Sequence, residues 1–263
     1  MPIKMIVTDL DGTLLRNDKT VSDYTLDVFS RVRDKNIKIV FATARSDQAV
    51  SRLSATNIKP DALICYGGAL VKVGGSIISR LVIPADVSDS LIDECVKAPE
   101  IYAIYAIGET AALSNDKEFL SGESGSADWS HYSFNDFSCP LGQSFLKISV
   151  RYGSANCLNE LAKQYPMCDL MRYSGEDLAR FANRDAVKWK ALSALLEYTG
   201  ISFAETAAFG DDFNDIEMLQ NCGIGIAMEN AIDDAKSAAD YICGTNEEDG
   251  VARWLEKHCK IKC

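Results

Sequence analysis

Short unbroken apolar runs alternate along this chain with segments whose apolar residues recur every three or four positions. That pattern predicts buried strands interleaved with amphipathic helices. Met5 to Thr8 is a β-branched apolar run that stops at an acidic turn, and it predicts a buried strand. Ser22 is placed to cap a helix that carries Val28, Phe29 and Val32 and ends near Asn36. Ile37 to Thr43 predicts a second buried strand, and Ser46 opens a further helix closing near Asn57. Ala62 to Tyr66 predicts a third strand, ended by Gly67-Gly68. Strand, helix, strand, helix, strand in this order predicts an α/β fold with a parallel, doubly wound, Rossmann-like sheet.

The pattern changes after about residue 80. Leu91 to Val96 has helical spacing, and Ile101 to Ile107 and Phe145 to Tyr152 predict strands, the latter with Phe145, Lys147, Ser149 and Arg151 on one face. Between them Ser121 to Pro140 is loop-like, and Asn156 to Tyr165 predicts another helix. Residues 83–185 therefore read as a separate α+β insertion into a core of 1–82 and 186–263. The first pattern then resumes. Val187, Ala191, Leu192, Leu195 and Leu196 form a helical stripe closed by Gly200. Strand Thr206 to Phe209, helix Ile216 to Asn221, strand Ile224 to Met228, a helix from Ile232, strand Tyr241 to Cys243 and a helix around Trp254 complete the core.

Composition narrows the function classes. With 263 residues and 47% hydrophobic content the chain can bury a sizeable core. A formal net charge of −11 argues against binding to nucleic acid or anionic membranes. An anionic substrate would meet long-range repulsion and would need a local cation or a metal ion. The nine cysteines are an odd number without a CxxC, and Cys65 and Cys222 adjoin apolar runs, which fits free thiols in a reducing compartment. Two histidines and no paired ligands at finger spacing make zinc a poor fit. The first residues are too short an apolar run for a signal peptide, and no stretch approaches membrane-spanning length, so the expectation is a cytoplasmic, soluble protein.

The candidate chemistry sits where apolar runs end. Asp9 and Asp11 follow the first strand, and ligands of open α/β sheets bind at the carboxyl ends of strands. Thr43, Ala44 and Arg45 follow the second, where a hydroxyl and helix-initial amides suit phosphate. Lys188 opens a helix against the macrodipole. Gly210-Asp211-Asp212-Phe213-Asn214-Asp215 follows another buried strand, and its oxygen ligands suit Mg²⁺. Each has a plainer reading by itself: an acidic turn, a strand end, a solvated lysine (Lys188 or Lys190, with Trp189 beside them), an acidic helix start. Together they form what phosphoryl transfer through an aspartyl intermediate requires.

On these residues the chain resembles the haloacid dehalogenase superfamily, and within it the Cof-type sugar phosphatases with a type IIB cap. Asp9-Leu10-Asp11-Gly12-Thr13 resembles the family's DxDGT motif, Thr43 its second motif, Lys188-Trp189-Lys190-Ala191-Leu192 its third, and Gly210 to Asp215 its GDxxND. Ala44, Gly67 and Asp185 depart from the usual Gly, Asn and Gly. The resemblance implies Asp9 as nucleophile and metal ligand, and Asp11 as general acid and base with its main-chain carbonyl on the metal. It implies Asp211 as a further ligand and Asp212 and Asp215 around the metal shell. The implied phosphate and substrate set is Asp9, Leu10, Asp11, Gly12, Thr43, Ala44, Arg45, Lys188 and Asn214.

The implied activity is Mg²⁺-dependent hydrolysis of a small phosphorylated metabolite, a sugar phosphate above others, by a monomer or homodimer. The insertion would close over the site, with the polar and aromatic Asp128 to Tyr132 suited to sugar hydroxyls. A phosphomutase, a non-catalytic phosphometabolite sensor and an Asp-phosphorylated receiver domain are the alternatives. The intact Asp9, Asp11, Lys188 and Asp211 set argues against the sensor, and the insertion against the receiver.

Overall fold

The computed structural model describes residues 2–109, 111–121, 132–172 and 176–259. The chain opens with β1 (Met5–Thr8), α1 (Asp23–Asp34), β2 (Lys38–Ala42), α2 (Asp47–Ser51), β3 (Ala62–Cys65), β4 (Leu70–Val73) and β5 (Ser76–Arg80). There follow α3 (Ala85–Lys97), β6 (Ile101–Ile107), β7 (Ala112–Ser114), α4 (Lys117–Leu120), β8 (Tyr132–Phe134), β9 (Lys147–Tyr152), α5 (Ala155–Gln164), β10 (Cys168–Arg172) and β11 (Leu178–Asn183). The last part is α6 (Lys188–Thr199), β12 (Thr206–Gly210), α7 (Ile216–Asn221), β13 (Ile224–Met228), α8 (Asp233–Ala238), β14 (Tyr241–Cys243) and α9 (Gly250–His258). These elements divide into two units, Met1–Ser79 with Ala186–Cys263, and Arg80–Asp185.

In the first unit the strand order is β14-β13-β12-β1-β2-β3-β4-β5. β1 pairs in parallel with β2 on one side and β12 on the other, Thr8 lying level with both Phe41 and Phe209. All four residues of β1 are buried, as expected of a strand covered on both faces. After β1 the chain builds outward through β2 and β3, and it later returns to the far side of β1 with β12. The strand order therefore reverses at β1, and its carboxyl end is the crevice where such sheets take ligands. Ser22 caps α1 by accepting from the Thr25 amide, and Gly200 ends α6 in the left-handed conformation.

The predicted parallel sheet is present, and the structure adds detail at three points. The sheet is parallel only from β14 to β3, because β4 runs antiparallel to β3 and β5 extends that edge. These strands are short and follow the Gly67-Gly68 turn directly, so they lack the spacing of a crossover unit. The helix begun at Ser46 stops at Ser51 and gives way to a 3₁₀ turn, Ser54–Ile58. The boundary of the insertion falls at Arg80, three residues before the expected 83.

The second unit has the strand order β10-β11-β9-β6-β7-β8 among its described residues. Neighbours are antiparallel except for β7 with β8. Leu91, Ile92 and Cys95 of α3 and Leu158 and Leu161 of α5 share one core with Ile104, Ile148, Val150, Ala179 and Phe181 of the sheet. Phe145 joins that core, so it does not share a face with Lys147, Ser149 and Arg151. The polar residues of β10 and β11 hid these strands from pattern reading. Asp128 to His131 lie outside the described residues, whereas Tyr132 is buried with its ring edge-on to Tyr105 and Phe119. No helix among the described residues is long and apolar enough to cross a membrane.

Candidate active site

The loop leaving β1 is held on all sides. The Asp9 amide donates to the Phe209 carbonyl at 3.0 Å, carrying the β1–β12 ladder one residue past the strand. Leu15 closes the loop with a 2.8 Å bond from its amide to the Leu10 carbonyl. Asn230 donates to the Gly12 carbonyl at 2.7 Å, and Asn246 donates to the Leu15 carbonyl at 2.9 Å. Neither asparagine was singled out from the sequence as a site residue. The loop is thereby tied to segments more than 200 residues away, and its carboxylates have fixed directions.

Asp9 points into a buried cluster. Lys188 donates to Asp9 at 2.6 Å and to Asp215 at 2.7 Å, and all three side chains are buried. The plainer reading of Lys188 as a solvated side chain is therefore wrong: the residue is 4% exposed. Backbone geometry puts it there. Gly68 sits at φ +115°, and a Cβ on it would fall 2.4 Å from the Val187 carbonyl oxygen. Only glycine permits that approach, which sets where α6 begins. Trp189 turns away and packs on Phe203.

Asp211 joins the cluster from the end of β12. Its carboxylate accepts from the Thr13 hydroxyl at 2.6 Å. Carboxylate oxygens of Asp9, Asp211 and Asp215 lie within 4.8 Å of one another. Burial drives the Asp9 carboxyl up to about 8, the charges of Asp215 and Asp211 add to that rise, and Lys188 opposes it. Burial also raises Asp211 to about 6, with the charge of Asp215 adding and the Thr13 bond opposing. Burial disfavours the Lys188 ammonium, but Asp215 and Asp9 outweigh it and hold Lys188 above its ordinary range. We take Lys188 as charged.

With all three carboxylates ionised against one ammonium the site would carry two net negative charges, and burial together with that crowding is why Asp9 and Asp211 hold their protons more tightly than usual here. An all-oxygen set short of two positive charges fits a hard divalent cation such as Mg²⁺. Asp215, expected around the metal shell, is inside this cluster and also accepts from the Asp211 and Asp212 amides at 3.1 and 3.2 Å. Asp212 is exposed and accepts from the Phe213 amide at 2.8 Å.

Asp11 faces elsewhere. Arg45 grips it through Nε at 2.6 Å and Nη2 at 2.8 Å, and Lys19 donates to it at 2.8 Å. Partial burial pushes this carboxyl up, but the Arg45 and Lys19 bonds and charges prevail and hold it at about 2. Arg45, expected on phosphate, bonds the Asp11 carboxylate here. Lys19 was not expected at all. It stands in the left-handed region at φ 65°, in a turn where the Lys19 amide donates to the Arg16 carbonyl at 2.9 Å and the Arg16 amide donates to the Thr20 carbonyl at 3.0 Å. Thr43 is buried where β2 ends, at the same sheet edge as Asp9 and Leu10, and its hydroxyl accepts from the Arg45 amide at 3.1 Å. Asn214 is exposed, and Lys188 donates to Asp9 and Asp215.

A sequence model of haloacid dehalogenase-like hydrolases matches residues 6–255, and the chain belongs to that family. It is 27% identical to the 5-amino-6-(5-phospho-D-ribitylamino)uracil phosphatase YitU of Bacillus subtilis over 98% of both chains. It is 26% identical to the pyridoxal phosphate phosphatase YbhA of Escherichia coli, over 98% of this chain and 99% of the relative. The solved structure of the subclass IIB sugar phosphatase BT4131 shares its fold at a TM-score of 0.82 and 24% identity, covering 98% of this chain and 100% of that one. The chain is thus an enzyme of the phosphatase class.

Proposed function

We propose that this enzyme is a Mg²⁺-dependent phosphatase of small organic phosphate monoesters, sugar phosphates first among them, working through an aspartyl phosphate on Asp9. The observation that carries this reading is the buried Asp9–Lys188–Asp215–Asp211 cluster at the carboxyl end of β1. YitU and YbhA are named for small phosphate monoesters and BT4131 as a sugar phosphatase, which supports the substrate class.

In this reading an oxygen of Asp9 attacks phosphorus and the bond from phosphorus to the ester oxygen breaks. Lys188 and the Thr43 hydroxyl steady the transferring oxygens. Asp11 gives its proton to the departing alcohol, then takes one from the water that attacks the aspartyl phosphate. That water releases inorganic phosphate and restores the Asp9 carboxylate. At rest Asp11 is a carboxylate clamped by Arg45 and Lys19, so these bonds must loosen while it takes a proton from solvent before the first step; the proton it then gives to the alcohol is replaced by the one it takes from the attacking water. Asp9, Asp211 and Asp215, with the Asp11 main-chain carbonyl and Asp212 nearby, would hold the Mg²⁺, which supplies charge neutralisation and polarises the phosphate. Substrate choice is assigned to the Arg80–Asp185 unit, and the protein to the cytoplasm.

A panel of sugar and nucleotide phosphates assayed for phosphate release tests this. We expect release with Mg²⁺ and none with excess chelator. Metal should also stabilise the folded protein, by about 2.7 kcal/mol at a hundredfold excess over Kd. Full activity under chelation together with an unfolding midpoint indifferent to Mg²⁺ would refute the metal role.

Gly12 offers a second test. It stands at φ +78°, and a Cβ would lie 2.3 Å from Asp211 Oδ2. Gly12→Ala should destabilise by roughly 1–2 kcal/mol from the left-handed backbone alone. It should lose more activity than stability, because the Asp211 carboxylate must move. Denaturant midpoints and phosphate release measured side by side decide; an unchanged rate would count against Asp211.

A further inference from the structure

Among the described residues, the second unit carries two cations that no carboxylate answers. Ile148 and Val150 of β9, and Ala179 and Phe181 of β11, point into the helix-covered core. Alternation therefore puts Lys147 and Ser149 of β9 and Arg180 of β11 on the opposite face. Arg180 lies directly across from Ser149, which is two residues along β9 from Lys147. Such diagonal neighbours are roughly 7–8 Å apart, within reach of two long side chains.

Arg180 is 5% exposed, and its Nε contacts the Met171 sulfur at 3.4 Å. Lys147 is half-buried. Among the described residues, neither forms an ion pair or a hydrogen bond with a carboxylate. Arg151, on the same face, differs: it pairs with Asp177 at 3.5 Å. Tyr105, across from Ser149, donates to Asp116 at 2.6 Å. Asp169 shares the face but stands beyond β11, on β10, and is exposed. Burial brings the Lys147 ammonium down to about 8, and the charge of Arg180 adds to that fall.

A buried arginine beside a half-buried lysine, with no carboxylate on either among the described residues, is a costly arrangement, and more conspicuous in a protein of net charge −11. Structural arginines under such burial are paired. We propose that Lys147 and Arg180 form a binding site for a small organic anion, a carboxylate or phosphate group, with Ser149 between them as a neutral hydrogen-bonding partner. Arg180 supplies a planar fork for two oxygens, and Lys147 a point charge beside it. The anion comes either from the substrate, as a second acidic group, or from a separate metabolite.

Two measurements on the full chain test the site and separate the sources. The first compares kcat/KM for 2-phosphoglycerate and glycerol 2-phosphate, which differ in a carboxylate against a hydroxymethyl group. This arm rests on the phosphatase reading. If the substrate brings the anion, the wild-type protein prefers the carboxylate ester, and Lys147→Met lowers that preference ~10-fold or more through KM, the size of one lost charge-assisted bond. Arg180→Lys, which keeps the charge, retains part of it. The second follows the unfolding midpoint with added malonate in metal-free protein, and needs no activity. A separate anionic metabolite predicts a malonate-dependent rise that Lys147→Met abolishes, without ester preference. If neither the ester preference nor the malonate effect depends on Lys147, the site is overturned. If no ester is turned over, the phosphatase reading falls while malonate still decides this one.

Discussion

Asp9→Asn is expected to abolish phosphate release, by on the order of 10⁴-fold or more, while the protein stays folded. Asparagine has nearly the same shape, but its amide cannot form the acyl phosphate. The fold should tolerate it for a reason visible in the site. Asp9 is one of three crowded carboxylates, and burial already pushes its carboxyl up to about 8. A neutral side chain relieves repulsion against Asp215 and Asp211 and still offers Lys188 an amide oxygen. The metal-free variant should therefore unfold at the same midpoint as the wild type or a higher one, and its stabilisation by Mg²⁺ should shrink. Phosphate release, circular dichroism and thermal midpoints with and without Mg²⁺ check the three parts. Near-full magnesium-dependent turnover by Asp9→Asn would falsify the aspartyl-phosphate reading.

Lys188→Met should be the most damaging single change in the core. Its ammonium bonds to both Asp9 and Asp215, at 2.6 and 2.7 Å, and the three are buried together. Removing one partner of a buried ion pair costs roughly 3–5 kcal/mol, because the charge left behind has neither partner nor water. Activity should fall as well, since the transferring phosphate loses its donor. The double variant Lys188→Met, Asp215→Asn separates the effects. It should recover a large part of the lost stability, the residues being in direct contact, and none of the activity. Chemical denaturation of the single and double variants is the measurement. A Lys188→Met protein as stable as the wild type would mean that the cluster is not the electrostatic unit described here.

Much of the core was legible because its signals are local. β1 is four buried residues followed by Asp9, and a short β-branched run of that kind reads as an interior strand. β13 and β14 fall where the apolar runs predict, and Gly200 ends α6 as its position implied. Pattern reading failed where strands are short or carry charge. β4 and β5 form a sheet edge, and β10 and β11 hold Asp169, Arg172, Arg180 and Asn183 among their apolar residues. A strand of that composition is defined by its neighbours more than by its own sequence.

The site divides in the same way. Asp9, Asp11, Thr43, Lys188 and Asp211 could each be picked out because they end or begin an apolar element. Their partners could not. Arg45 was read as a phosphate ligand, and its fork closes on Asp11 here. Lys19 reaches Asp11 only because its backbone turns left-handed, and Asn230 and Asn246 matter only because the fold lays them beside the loop after β1.

By itself, then, the sequence determined the order of the core's buried strands and the helices between them, and the residue types available at the ends of those strands, which follow from periodicity and from carboxylates adjoining buried runs. Tertiary structure alone decided which charge meets which. Lys188 is 179 residues from Asp9 and 27 from Asp215, and the stability of that triad is a matter of ångström separations in a buried site. Coulomb energy and desolvation depend on distance and burial, and neither is written in the spacing of residues along a chain.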